Sequence, residues 1–254
     1  MNAFATAIVA FLFIFGGVLV GAFLRNQLPE HHLSPDTKDV VRLGTGLVGT
    51  IAALVLGLMI SSASITYNTQ NTRLQEMTAK FILMDSLLAQ YGPEAAPART
   101  SLRSTVTTLA DRLWGADAIG PHVRSVFVIS QPARDTARAL FLLSPTNTAQ
   151  RTLRDDALHL LTDIGETRLL LFAERRDHGL PLPFFVVMTF WLTIIFMSFS
   201  LFSRLNLVAG VSLFVFAISA AAAIYMIIEL SQPFTGLVRI SDEPLRHALS
   251  ALSP

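Results

Sequence analysis

Residues Leu43–Ala63 read LGTGLVGTIAALVLGLMISSA, a run without a single charged side chain. A helix rising 1.5 Å per residue needs about 20 apolar residues to cross a hydrocarbon core about 30 Å thick, and this run is long enough. Three others match it: Ala3–Leu24, Phe184–Phe202 and Leu207–Leu230. The first has no Lys or Arg ahead of it and exceeds the length of a signal-peptide apolar region, so it is read as a transmembrane helix. Mean hydropathy over the 254 residues is +0.54 and only 15% are charged, against roughly a quarter in soluble chains. The chain therefore reads as an integral membrane protein.

Outward from Leu43–Ala63 the apolar spacing continues at helical period through Tyr67, Leu74, Met77, Phe81, Met84 and Leu88, and stops at the terminator Tyr91-Gly92-Pro93. That predicts one rod of roughly 50 residues, about 75 Å long. Between the second and third spans, Ser64–Pro183 holds 13 of the 19 basic and 12 of the 18 acidic residues, which marks a water-facing block. A helix is expected at Ala95–Trp114, with Leu102, Val106, Leu109 and Leu113 on one face. Another is expected to open at Ser144-Pro145 and reach His178, with Leu153, Leu160, Ile164 and Leu171 on one side. The only strand-like run is Val126-Phe127-Val128-Ile129. Within the span pairs, the polar link Arg25–Arg42 contrasts with the tight turn Ser203-Arg204-Leu205-Asn206.

The expected fold is all-α: a polytopic membrane protein with four transmembrane helices and a helical domain inserted between the second and third. Its segments are 1–63, 64–183, 184–230 and a tail, 231–254. Lys and Arg near the span ends set orientation. Arg73, Lys80, Arg168, Arg175, Arg176, Arg239 and Arg246 outnumber Arg25, Lys38, Arg42 and Arg204, which puts the central domain and both termini in the cytoplasm.

Several function classes fall away. A net charge of +1 without a basic run offers nucleic acid no footprint. Without Cys there is no disulfide framework, thiolate nucleophile or Cys-bound metal. G-x-S-x-G, P-loop and G-x-G-x-x-G patterns are absent, so neither an enzyme nor a cofactor is expected. Asp155, His159 and Asp163 repeat every fourth residue with Asp156 and Glu166 beside them, a spacing able to hold a metal. Their alternation with Arg151, Arg154 and Arg168 favours a solvated face of i,i+4 pairs. His31-His32 lies in a polar loop. No span carries an ionisable residue at its middle, which argues against a proton-coupled transporter; Glu229 near the end of the fourth reads as interfacial.

Two stripes mark the second span. Gly49, Ala53 and Gly57 form a small-xxx-small ridge for close helix packing, within one subunit or between subunits. Thr50, Leu54 and Leu58 lie on another face, and copies arranged around an axis would stack them into rings able to gate by dewetting.

The tail after the fourth span reads Glu229-Leu230-Ser231-Gln232-Pro233-Phe234-Thr235-Gly236, then Ser241-Asp242-Glu243-Pro244-Leu245. It resembles the ending of bestrophins and, more closely, of the bacterial bestrophin-like membrane proteins. Val55-Leu56-Gly57-Leu58 is similar to the Val-Leu-Gly-Phe of the bestrophin pore helix, with Tyr67-Asn68 where that family has an aromatic pair and Asn. The resemblance implies a homopentamer in the bacterial inner membrane, with an axial pore lined by the second span and a neck at Thr50, Leu54 and Leu58. It implies small inorganic ions as partners, chloride ahead of others, although relatives include anion- and cation-favouring pores. Tail motif residues are Glu229, Pro233, Phe234 and Gly236. The neck Phe residues of bestrophins are Leu here, and only Asp242 and Glu243 stand where animal bestrophins carry a dense acidic calcium clasp. An alternative consistent with the lost aromatics is a non-conducting scaffold or accessory subunit that binds a partner through its cytoplasmic helices.

Overall fold

The computed structural model describes residues 3–29, 34–114, 129–177, 182–203, 206–234 and 236–252, and these are helical, with turns and no strand. The helices are α1 (Ala3–Gln27), α2 (Pro35–Tyr91), α3 (Ala96–Trp114), α4 (Gln131–Leu142), α5 (Thr148–Asp177), α6 (Leu182–Phe202), α7 (Leu207–Leu230) and α8 (Glu243–Ala251). Four of them, α1, α2, α6 and α7, are long and apolar enough to cross a membrane. The chain divides into two compact units, one of residues 1–66 with 179–231 and one of residues 67–178 with 232–254.

α2 is longer than its apolar pattern predicts. It begins at Pro35, whose missing N–H suits a first helical position, and Ser34 caps it by accepting from the Thr37 amide at 3.3 Å. The polar link before it therefore shrinks to 28–34. At its far end Gly92 takes φ 124°, a conformation other residues rarely adopt, and a 3₁₀ turn at Pro93–Ala95 leads into α3. Fifty-seven residues make a rod of roughly 86 Å.

In the first unit α1 packs on α6 and α7. Apolar burial does not drive helices together in lipid, so close fit does. Gly17 and Gly21, one turn apart on α1, supply it: a Cβ at Gly17 would lie 2.8 Å from the Thr193 carbonyl oxygen, and one at Gly21 would collide with that of Met197. The buried Ser200 hydroxyl donates to the Val18 carbonyl at 2.7 Å across the same seam. Phe11 and Phe15 stack on each other, and each meets Phe214 of α7 edge-on.

The second unit has a core of Leu74, Met77, Phe81, Met84 and Leu88 from α2 against Leu102, Val106, Leu109 and Leu113 of α3 and Ile164 and Leu171 of α5. Arg99 grips Asp85 with both fork nitrogens, at 2.8 and 2.9 Å, and ties α3 to α2. Partly buried bidentate pairs of this kind are the strong ones. Two expectations need correction. α5 opens at Thr148 rather than Ser144, because Asn147 accepts from the Gln150 amide at 2.8 Å and caps it. α4 is not among the helices expected from the sequence, although Ser130, which caps it by accepting from the Ala133 amide, followed by Pro132 in the first turn, is a readable start signal. Residues 126–128 of the strand-like run and His31-His32 lie outside the described residues.

Candidate pore helix and tail anchor

Along its apolar half, α2 packs Val48, Ala52, Val55, Leu56 and Met59 into the core of the first unit, with Ala52 buried. A helix has one such face, so residues on the opposite side must meet something other than their own chain. Thr50, Leu54 and Leu58 lie there: Leu54 is 65% and Leu58 71% exposed, and Leu43 and Leu47 extend the stripe. The Thr50 hydroxyl donates to the Gly46 carbonyl at 3.0 Å, which satisfies its proton within the helix. Only 11% of the most apolar window of α2 is buried by the rest of the chain, against 28–33% for the other three candidate spans. α2 is thus the apolar helix that the single chain covers least.

The small-residue ridge does not form the seam within the chain. A Cβ on Gly49 would have ordinary room, 3.9 Å from Ile195, Ala53 is exposed, and a Cβ on Gly57 would meet nothing within 4 Å. The seam that does need small residues is Gly17-x-x-x-Gly21 on α1, which the same spacing rule could have found.

The tail folds back on the second unit. Phe234 is buried and meets the Trp114 ring edge-on at 5.9 Å. The Trp114 indole N–H donates to the Ile240 carbonyl at 2.9 Å, and the Ile240 amide donates to the Pro233 carbonyl at 2.6 Å. Gly236, at φ 91°, allows the intervening reversal, while Thr235 lies outside the described residues. α8 then sends Leu245, and the chain after it Leu252, into the same core. Arg246 donates to the Asp242 carboxylate, and that bond holds the Asp242 pKa below its ordinary value. Glu229, in the last turn of α7, is buried and hydrogen-bonded by Tyr225 one turn earlier.

Asp155 and His159 lie on the exposed side of α5, and Asp163 faces Lys80 at 3.5 Å. Among the described residues no group of three His, Asp or Glu comes together to hold a metal.

Comparison with known proteins extends these observations. The sequence matches no curated protein significantly. By fold the chain is similar to crystal structures of variants of a bacterial bestrophin homologue from Klebsiella pneumoniae. One is 16% identical with a TM-score of 0.66, aligned over 99% of this chain and 97% of that one. Another is 13% identical with a TM-score of 0.65 over 99% and 98%. The crystal structure of a membrane protein variant gives 14% and 0.56 over 99% and 97%. The family model of the Bestrophin-like domain matches residues 12–245, from within α1 to the start of α8. A match of that extent places this membrane protein in the Bestrophin-like family.

Proposed function

We propose that the protein is a passive channel for small inorganic ions, built as a homo-oligomer of five copies around an axial pore lined by α2. The observation that carries this reading is the uncovered stripe of Thr50, Leu54 and Leu58 on α2, in a chain of the Bestrophin-like family. Copies arranged around an axis would stack those residues into a polar ring and two apolar rings. A narrow apolar ring resists wetting and so controls passage. Gly49, Ala53 and Gly57 would then serve close approach of neighbouring copies. Chloride is the first ion to test, with sodium and potassium as rivals. The assembly would sit in a bacterial inner membrane with the second unit and the tail on the cytoplasmic side.

Purified protein in liposomes should pass chloride, and Leu54→Ala with Leu58→Ala should raise that flux by widening the rings while native mass spectrometry still finds five copies. Equal flux from wild type and variant, with assembly intact, removes Leu54 and Leu58 from the neck. A pentamer that carries no flux in either form supports the scaffold reading instead.

A further inference from the structure

Past Leu58 the uncovered stripe of α2 continues. Ser61, Ile65, Asn68, Thr72 and Glu76 follow at spacings of three and four residues, and all are exposed. Ahead of Thr50 the same spacing reaches Leu47, Leu43, Val40 and Asp36, exposed as well. The line that holds Thr50, Leu54 and Leu58 therefore runs from the first turn of α2 into its polar half. Met77 and Phe81 lie on another side and enter the core of the second unit.

The charges of α2 are sorted by face. Asp36 and Glu76 stand on the stripe, and no basic residue does. Lys38 and Arg42 line a groove against Ile195 and Phe199 of α6. Arg73 is half-buried and interacts within its own chain, and Lys80, one turn beyond Glu76, is held by Asp163 at 3.5 Å. The other carboxylates of α2 also lie elsewhere, Asp39 in the groove and Asp85 in the grip of Arg99. Among the described residues neither Asp36 nor Glu76 has an ion-pair partner. Asp36 offsets the positive end of the helix dipole, so its charge counts for less. Glu76, in mid-helix, meets no such compensation.

The neck points the same way. The Thr50 proton is taken up by the Gly46 carbonyl, so the hydroxyl has only oxygen lone pairs left to offer. Such an acceptor suits a cation and gives an anion nothing. Glu76 follows Leu58 by about five turns, about 27 Å along the helix. Five Glu76 carboxylates about 8 Å from an axis, one Debye length, would concentrate a monovalent cation there about fivefold and deplete an anion by the same factor.

We infer that Glu76 determines ion specificity and makes the channel favour small monovalent cations over chloride, an inference that rests on the pore reading of α2. The resemblance to bestrophins puts chloride first; the fixed charge on this stripe reverses that order.

Reversal potentials of the full-length protein in planar bilayers under a KCl gradient test the inference. Wild type should favour potassium over chloride about fivefold, and Glu76→Gln should lower that ratio at least about twofold. Glu76→Lys should bring it below unity. Asp155→Asn, an equal loss of charge on the exposed side of α5, should leave it unchanged. Because the chain has no Cys, Glu76→Cys offers a single thiol to reagents added after assembly. A cationic methanethiosulfonate should then lower the ratio and an anionic one should raise it. Three results would each overturn the inference and leave the channel standing: a wild-type ratio at or below unity, a Glu76→Gln change no larger than that of Asp155→Asn, or no opposite response of Glu76→Cys to the two reagents. Absence of any current from wild type overturns the pore reading itself, and the inference with it.

Discussion

Replacing Phe234 by Ala should undock the tail. The ring is 4% exposed, so its truncation falls among buried Phe→Ala changes, which cost about 3–5 kcal/mol. Within that loss, the edge-on pair with Trp114 contributes about 1 kcal/mol beyond area alone. Taking about 4 kcal/mol as the change in local opening free energy, amide protection in the tail should fall by up to roughly a thousandfold, at about 1.4 kcal/mol per decade. The reporters are the amides of Ile240, Arg246 and Leu252, which donate to Pro233, Asp242 and Ala248. Hydrogen exchange by mass spectrometry on full-length protein in detergent reads them, with peptides from α1 and α6 as an internal reference. A Trp114→Phe control keeps one aromatic ring but removes the bond to the Ile240 carbonyl together with the second ring of the indole. The lost bond alone costs about 1 kcal/mol, so protection should fall at least five- to tenfold. If Phe234→Ala leaves tail exchange within threefold of wild type, the Pro-Phe segment does not anchor the tail, and the docking argument fails.

Gly21→Ala should loosen α1 from α6, costing about 1–3 kcal/mol by overpacking and lowering the detergent melting temperature. Gly16→Ala, where a Cβ meets nothing within 4 Å, should be neutral or slightly stabilising, and similar losses from both would refute close packing at Gly21. The Asp242 carboxyl, held low by Arg246, should titrate below the ordinary Asp range in carboxyl carbon NMR, and Arg246→Gln should return it toward about 3.9. Because its folded pKa is depressed, its contribution to the stability of α8 is complete above the ordinary carboxylate range. That contribution is lost as pH falls through the lowered value. An unchanged titration in the Arg246→Gln protein would show that the pair does not set it.

Much of the fold is legible locally. The end of α2 follows from Tyr91-Gly92-Pro93, because only glycine tolerates φ 124° cheaply and the following proline cannot continue the helix. The starts of α4 at Ser130 and of α8 near Pro244 are marked by proline in the first turn, and both helices are amphipathic, but at 12 and 9 residues their pattern lasts only about three turns. The candidate site is legible only in outline. Thr50, Leu54 and Leu58 share a face by spacing alone, but that spacing does not say which face of α2 its own chain covers.

Composition and run length by themselves determined that four helices are apolar enough for a bilayer, that charge concentrates between the second and third, and that α2 continues past its span. These are properties of single segments, decided by rise per residue and by the cost of exposing apolar surface to water. Which surfaces meet was decided by tertiary structure. A transmembrane helix is apolar on all sides, so hydrophobic period cannot single out a partner face; shape does. Gly17 and Gly21 make the contact with α6, while Gly57 meets nothing in its own chain. The pairing of Phe234 with Trp114 joins residues 120 positions apart in sequence, and no local pattern in either carries it.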